Sequence, residues 1–202
     1  MRHFILLLCC SQLLACSWAF PSGSSGIRTV LCIGDSNTQR SSAARIDTYC
    51  DLSRHDTYNA ARNGSATEAW SNSNLFELSV ADQPFEVCSI MLGTNDAFVG
   101  ISAYQYIANI KTIVGKCRQH GILFVVLHTP LSNLSGTLDD RIVAYGRELK
   151  MYAKSSPLIR IGQDMFELQR QGFFQDWTDN LHIGIRDHIN LVSRTDKDFD
   201  FD

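Results

Sequence analysis

The chain has 202 residues, of which 45% are hydrophobic and 19% charged, with 13 Gly and 4 Pro. That content supports one domain with its own core and excludes globally disordered, collagen-like and low-complexity chains. A formal charge of −3 and a pI near 6.0 argue against a nucleic-acid binder, which carries a basic footprint, and no interior apolar run approaches the roughly 20 residues that span a bilayer.

Met1-Arg2-His3 makes a short basic start, and residues 4–15 are apolar apart from Ser11 and Gln12. Ser17-Trp18-Ala19 then offers small residues on either side of Trp18, just ahead of Phe20. This is the layout of a secretory signal peptide over 1–19, with a Pro/Ser/Gly linker over 20–27; the competing reading is a buried N-terminal helix. Leu13-Leu14-Ala15-Cys16 also resembles a lipobox, which would lipidate Cys16. Ala19-Phe20-Pro21 and the Ser-rich stretch after it resemble a bipartite plastid leader. Secretion is the base case. Loss of 1–19 removes Arg2 and no acid, taking the charge from −3 to −4, and leaves Cys32, Cys50, Cys88 and Cys117. Four widely spaced cysteines make no disulfide scaffold for a domain of this size, and no CxxC occurs. Cys32 and Cys88 lie in apolar runs and read as small core residues; the pairing state of all four stays open.

Beyond the linker, apolar runs and helical patterns alternate. Thr29-Val30-Leu31-Cys32-Ile33 reads as a fully buried strand ending at Gly34-Asp35. A weaker strand is expected over 57–60. A third runs from Phe85 to Leu92 and ends at Gly93-Thr94-Asn95-Asp96. Ile101, Tyr104, Ile107, Ile110, Val114 and Cys117 recur at helical spacing. A fourth strand, from Ile122 to Leu127, ends at His128-Thr129-Pro130. Leu138, Ile142, Tyr145, Leu149 and Tyr152 mark another helix, 158–161 a fifth strand, and about 184–194 a last helix. The acidic residues 196–202 read as a frayed tail. Alternation of this kind predicts right-handed crossovers and a parallel sheet covered on both faces, an α/β/α sandwich of about five strands. In such sheets function gathers at the carboxyl ends of the strands.

Those ends carry the chemistry. Gly34-Asp35-Ser36-Asn37-Thr38 follows the first strand and is expected to open a helix, where free N–H groups would favour developing negative charge at Ser36; the bland reading is an N-cap. Asn63-Gly64-Ser65 follows the second strand, with Gly64 either a turn residue or a bare backbone donor. Asn95, after the third, is either a loop hydrogen bonder or an amide donor for an oxyanion. Asp179-Asn180-Leu181-His182 places a carboxylate three residues before an imidazole, close enough to fix its tautomer; Asp176 is the rival carboxylate. His128 is a candidate pocket residue, whereas His188 reads as solvated on the last helix. Trp70, Phe173, Phe174 and Trp177 read as packing. No phosphate loop, GxSxG elbow or metal-ligand cluster is visible.

Taken in order, Ser36, Gly64, Asn95 and His182 resemble the four blocks of the SGNH hydrolases, the GDSL-like esterase superfamily, over about 28–195. The first and third blocks look most like its small microbial arylesterase and acyltransferase branch. Ile183 stands where the family often has Pro, and Arg62-Asn63-Gly64-Ser65 is acceptable but not diagnostic. The resemblance implies a flavodoxin-like fold, with Ser36 as nucleophile, His182 as base and Asp179 as its orienting acid. It further implies an oxyanion hole from the N–H groups of Ser36 and Gly64 and the Asn95 amide, with no metal or cofactor. The expected activity is hydrolysis of short acyl esters, on a small molecule or a glycan. The alternatives are an acyltransferase, a carbohydrate O-deacetylase, or a catalytically silent binding protein. Of two glycosylation sequons, Asn63 adjoins the proposed hole and is expected to stay unmodified, leaving Asn133 as the acceptor.

Overall fold

Three apolar runs and two weaker, more polar segments, each too short to be a long helix, pair side by side in one direction. In the computed structural model, which describes residues 26–39, 47–132, 136–177 and 181–201, the strands are β1 (Thr29–Gly34), β2 (Asp56–Asn59), β3 (Val87–Met91), β4 (Phe124–Thr129) and β5 (Ile159–Asp164). They form one sheet in the order β2-β1-β3-β4-β5, every pair parallel. The helices are α1 (Thr67–Ser71), α2 (Leu75–Ser79), α3 (Thr94–Val99), α4 (Ala103–Gln119), α5 (Thr137–Ala153), α6 (Met165–Arg170) and α7 (Ile185–Asp198). The sheet and its flanking helices are the expected α/β/α sandwich. The leader with Cys16, the Asn133 sequon and Asp179 lie outside the described residues.

Strand alternation sorts the core into two layers. Leu31, Ile33, Cys88, Ile90, Val125 and Leu127 point to one face, where α4 and α5 cover them with Ile110, Ile113, Ile142 and Leu149. Tyr106 of α4 and Tyr145 of α5 stack there at 4.1 Å. Val30, Cys32, Val87, Met91 and Val126 point to the other face, beneath Met165, Leu168, Leu191 and Phe199. Two faces of buried apolar side chains explain why the strands read as continuous runs rather than alternating ones.

Two expectations change on this second face. Cys32 is not merely a small core residue: it forms a disulfide with Cys50, across a sequence separation of 18. Cys88 is a free core thiol, as expected, and Cys117 is likewise buried and free. The acidic C-terminus is not frayed. Asp196 and Asp198 belong to α7, and Phe199 is fully buried. Ser53 donates to Asp196 at 2.6 Å, Arg54 pairs with Asp200 at 2.6 Å, and Arg160 Nη1 donates to the Asp200 carbonyl at 2.6 Å. Phe201 packs on Phe124 at 4.5 Å. Two phenylalanines spaced between acids supply burial, Arg54 pairs with the carboxylates of Asp196 and Asp200, and Arg28 and Arg160 bind backbone carbonyls of the same segment. Replacing Phe199 with Ala should therefore cost about 3–5 kcal/mol in urea unfolding; an unchanged transition would mean that the tail is not part of the core.

Candidate active site

The strand order reverses at β1: the chain steps outward to β2 and then crosses back to β3. A crevice opens at such a point beyond the strand ends, and it is flanked here by the segments that follow β1, β2 and β3. After β1 the backbone bends sharply. The Asp35 carboxylate accepts the Asn37 N–H at 2.9 Å, and the Asp35 carbonyl accepts from Thr38 and Gln39 at 3.1 and 2.9 Å. Residues 35–39 thus make one closed turn, with Ser36 half-buried on its crest, and the continuation of the expected helix past Gln39 lies outside the described residues. Gly34 is required beneath it, since a Cβ there would lie 2.2 Å from the Thr38 hydroxyl oxygen. Asp35 itself is enclosed. Burial pushes its carboxyl up to about 6, against the opposing pull of the Asn37 N–H and of His182.

The Gly34 carbonyl ties the second segment to the first. It accepts from the Arg62 N–H at 3.0 Å and from the Ser65 hydroxyl at 3.0 Å. Between them, Arg62 to Ser65 make a turn closed at 3.1 Å, with Gly64 at φ +71°, a conformation that favours glycine. Trp70, buried in the core, donates its indole N–H to Ser65 Oγ at 3.1 Å and braces this turn from below. Asn95, near the start of α3, donates its amide to the Ser65 carbonyl at 3.1 Å. Asp96 beside it is buried and accepts from the Thr67 N–H and hydroxyl, while Gly93 at φ +132° turns the chain into α3. Three strand ends are therefore cross-linked by hydrogen bonds, which brings Ser36, Gly64 and Asn95 to one rim. Asn63 is exposed on that rim.

His182 arrives from the far end of the chain. Trp177 and Ile183 form an antiparallel bridge, the Asp187 carboxylate accepts from the N–H groups of Gln175 and Asp176 at 2.8 and 2.6 Å, and Asp176 accepts from Arg186 N–H at 3.1 Å. The carboxylate of Asp176 thus closes the loop onto α7, a structural task. The loop delivers His182 Nε2 to 2.8 Å from Ser36 Oγ, although 146 residues separate them.

The other histidines are internal. His128 is buried, accepts the Gln163 N–H on Nδ1 at 2.9 Å and so donates from Nε2 to Ser89 Oγ at 3.1 Å. It joins β3, β4 and β5 rather than lining a pocket. His188 is buried on α7, not solvated, and its Nδ1 accepts the Tyr49 N–H at 3.2 Å. Burial depresses both, His128 to about 3 and His188 to about 4, so both are neutral at physiological pH. Tyr49 and Trp70 support the site without any motif that marks them; only their aromatic bulk hints at burial.

Fold and site together define an α/β hydrolase of the sandwich type, with a serine and a histidine in hydrogen-bond contact at the strand ends. The chain belongs to the GDSL-like lipase/acylhydrolase family, whose model matches residues 32–184, and is an ester-hydrolysing enzyme. Solved structures agree in fold. A lipolytic protein of the G-D-S-L family from Veillonella parvula superposes with a TM-score of 0.68 at 16% identity, covering 85% of this chain and 97% of that one. An acetylxylan esterase from Geobacillus stearothermophilus superposes with a TM-score of 0.67 at 17% identity, covering 86% and 95%. Catalytic mutants of that esterase replace a serine, an aspartate and a histidine, the aspartate three positions ahead of the histidine. A comparison with curated proteins by sequence finds no match.

The internal role of His128 has a pH signature. A neutral buried histidine stabilises the fold above its ordinary value of 6.5, and that contribution is lost as pH falls towards about 3. His128→Leu leaves the Gln163 N–H and the Ser89 hydroxyl unpaired and should cost roughly 2–4 kcal/mol near neutrality. The gap between native and variant stability, followed by urea unfolding, should narrow as pH drops from about 7 to about 4. A gap that widens on acidification would contradict this assignment.

Proposed function

We propose that the enzyme is a serine esterase that hydrolyses short-chain acyl esters through an acyl-enzyme on Ser36. The contact of 2.8 Å between Ser36 Oγ and His182 Nε2 carries this reading, because a serine hydroxyl is a weak nucleophile until a base takes its proton. With the ring proton on Nδ1, Nε2 accepts from Ser36 Oγ–H. Asp179, three residues before His182, is assigned to hold that proton in place and to stabilise the imidazolium.

Attack of Ser36 Oγ on the ester carbonyl carbon passes the hydroxyl proton to His182 and places negative charge on the carbonyl oxygen. That oxygen is received by the N–H groups of Ser36 and Gly64 and by the Asn95 amide. The Gly64 N–H is not used in closing its own turn. One Asn95 N–H is engaged by the Ser65 carbonyl, which orients the amide so that its second N–H serves the oxyanion. Collapse expels the alcohol, which takes its proton from His182. Water then attacks the acyl-serine, gives a proton to His182, and releases the acid as Ser36 is reprotonated.

Gly64 and Asn63 are exposed, as are Phe98 and Val99 one turn beyond Asn95. A rim this open suits a short acyl group on an alcohol portion that stays outside. The fold shared with an acetylxylan esterase favours an acetylated carbohydrate as the alternative substrate, and an acceptor alcohol in place of water would make the same site an acyltransferase. We further assign the enzyme to an oxidising, secretory route, in keeping with the leader-like N-terminus and the Cys32–Cys50 bond. Lipid anchoring through Cys16 and plastid import are the alternatives.

Ser36→Ala should reduce p-nitrophenyl acetate hydrolysis at least about 10³-fold, since nucleophile and base act as a unit. Asn95→Ala should lower kcat about 10²–10³-fold with little change in KM. Retained activity in Ser36→Ala would refute the mechanism, and an Asn95→Ala defect confined to KM would remove that amide from the oxyanion hole. A chain-length panel extended to acetylated sugars separates the substrate classes.

A further inference from the structure

Ser36 and His182 share no secondary-structure element, so their contact depends on whatever fixes the turn after β1 relative to the loop before α7. One short segment touches both. Thr48, buried, donates its hydroxyl to the Thr38 carbonyl at 2.9 Å, and Asn59 donates to the same carbonyl at 2.6 Å. Thr38 lies in the turn that carries Ser36. The next residue, Tyr49, donates its N–H to His188 Nδ1 at 3.2 Å, on the first turn of the helix that follows His182. Its fully buried ring lies edge-on to His128 at 5.8 Å and stacks against His188 at 6.4 Å. The third residue, Cys50, is joined to Cys32 in β1, two positions before Gly34. Its carbonyl accepts from the Thr57 hydroxyl at 2.8 Å, in β2.

We propose that Thr48, Tyr49 and Cys50 form a strut that positions Ser36 against His182, with the Cys32–Cys50 disulfide as its fixed end. The inference rests on the reading of Ser36 as nucleophile and His182 as base. The strut touches neither substrate nor reacting atoms; it acts through Thr38 on one side and His188 on the other. The ring of Tyr49 does the positioning, through its contacts with His128 and His188. Release of the fixed end leaves the substrate rim of Gly64 and Asn95 in place, since that rim is tied to Gly34, Thr67 and Trp70 instead. The expected defect is therefore in turnover, not in binding. A small displacement of a nucleophile from its base costs about 10²-fold in rate, and a chain made without this bond would fold into a slow enzyme.

The test compares the full-length enzyme with Cys32→Ala/Cys50→Ala, Thr48→Val, Tyr49→Ala and Tyr49→Phe, each assayed well below its own unfolding transition. Titration with a fluorophosphonate gives the number of reactive sites, and the labelling rate per site is measured alongside kcat and KM for p-nitrophenyl acetate. Partial unfolding lowers the number of sites, whereas mispositioning lowers the rate at each site. The double cysteine variant and Tyr49→Ala should lose about 10–100-fold in kcat and in labelling rate per site, with KM within about threefold. Thr48→Val, which keeps the disulfide, should lose about 3–10-fold, and Tyr49→Phe should recover most of the rate lost in Tyr49→Ala. A folded double variant with native kcat and native labelling rate overturns the strut; if that variant does not fold, native kcat in Thr48→Val together with Tyr49→Ala does so. Failure of the native enzyme to label on Ser36 would instead overturn the catalytic reading on which the strut rests.

Discussion

Gly34 has no side chain, and the site depends on that. Its missing β-carbon is the space in which Thr38 folds back over the end of β1, and this closure lifts Ser36 onto the crest of the turn. The same residue's carbonyl accepts from Arg62 and Ser65, so the segment after β2 is hung from the segment after β1. Asn95 joins through the Ser65 carbonyl. A parallel sheet with its order reversed at β1 brings these ends together, but the one-residue clearance at Gly34 converts adjacency into a constellation.

The second face of the sheet carries an unusual load of polar groups for a core. Ser89 and His128 sit within the sheet, Tyr49 and His188 over it, and Asp35 at its upper edge, all buried. Burial keeps the histidines and the phenol neutral, with the two histidines depressed to about 3 and about 4 and the Tyr49 phenol raised to about 12, and it raises the Asp35 carboxyl to about 6. Neutral histidines are useful here because each presents one acceptor nitrogen to a backbone N–H that would otherwise be orphaned. His128 takes that of Gln163 and His188 takes that of Tyr49. These bonds have fixed geometry, which apolar packing alone lacks, and they lie along the route between the two halves of the dyad.

Much of this was legible in the residues. Strands β1, β3 and β4 follow from apolar runs ending in Gly-Asp, Gly-Thr-Asn-Asp or His-Thr-Pro and β2 and β5 from weaker segments, and observed bounds differ from expectation by only a few positions. Ser36 and His182 could be named because each lies in a short, chemically distinctive segment next to a predicted strand or helix end. Other features are properties of the fold and leave no local mark. Cys50 pairs with Cys32 only because a turn brings it over β1, and no spacing rule anticipates that. His188 looks solvated from its polar neighbours, yet its face of α7 lies against Tyr49. The acidic tail looks solvated for the same reason, until Arg28, Arg54 and Arg160 are placed around it.

The central claim is that the Ser36–His182 contact performs acyl transfer, and peptide mapping after rapid acid quench tests it most directly. The enzyme is mixed with p-nitrophenyl acetate for a few turnovers, quenched and digested. The account predicts a single acetyl group on the peptide bearing Ser36, absent in Ser36→Ala and strongly reduced in His182→Ala. Acetyl found on another residue, or native turnover with no acetyl on Ser36 at any quench time, would contradict it.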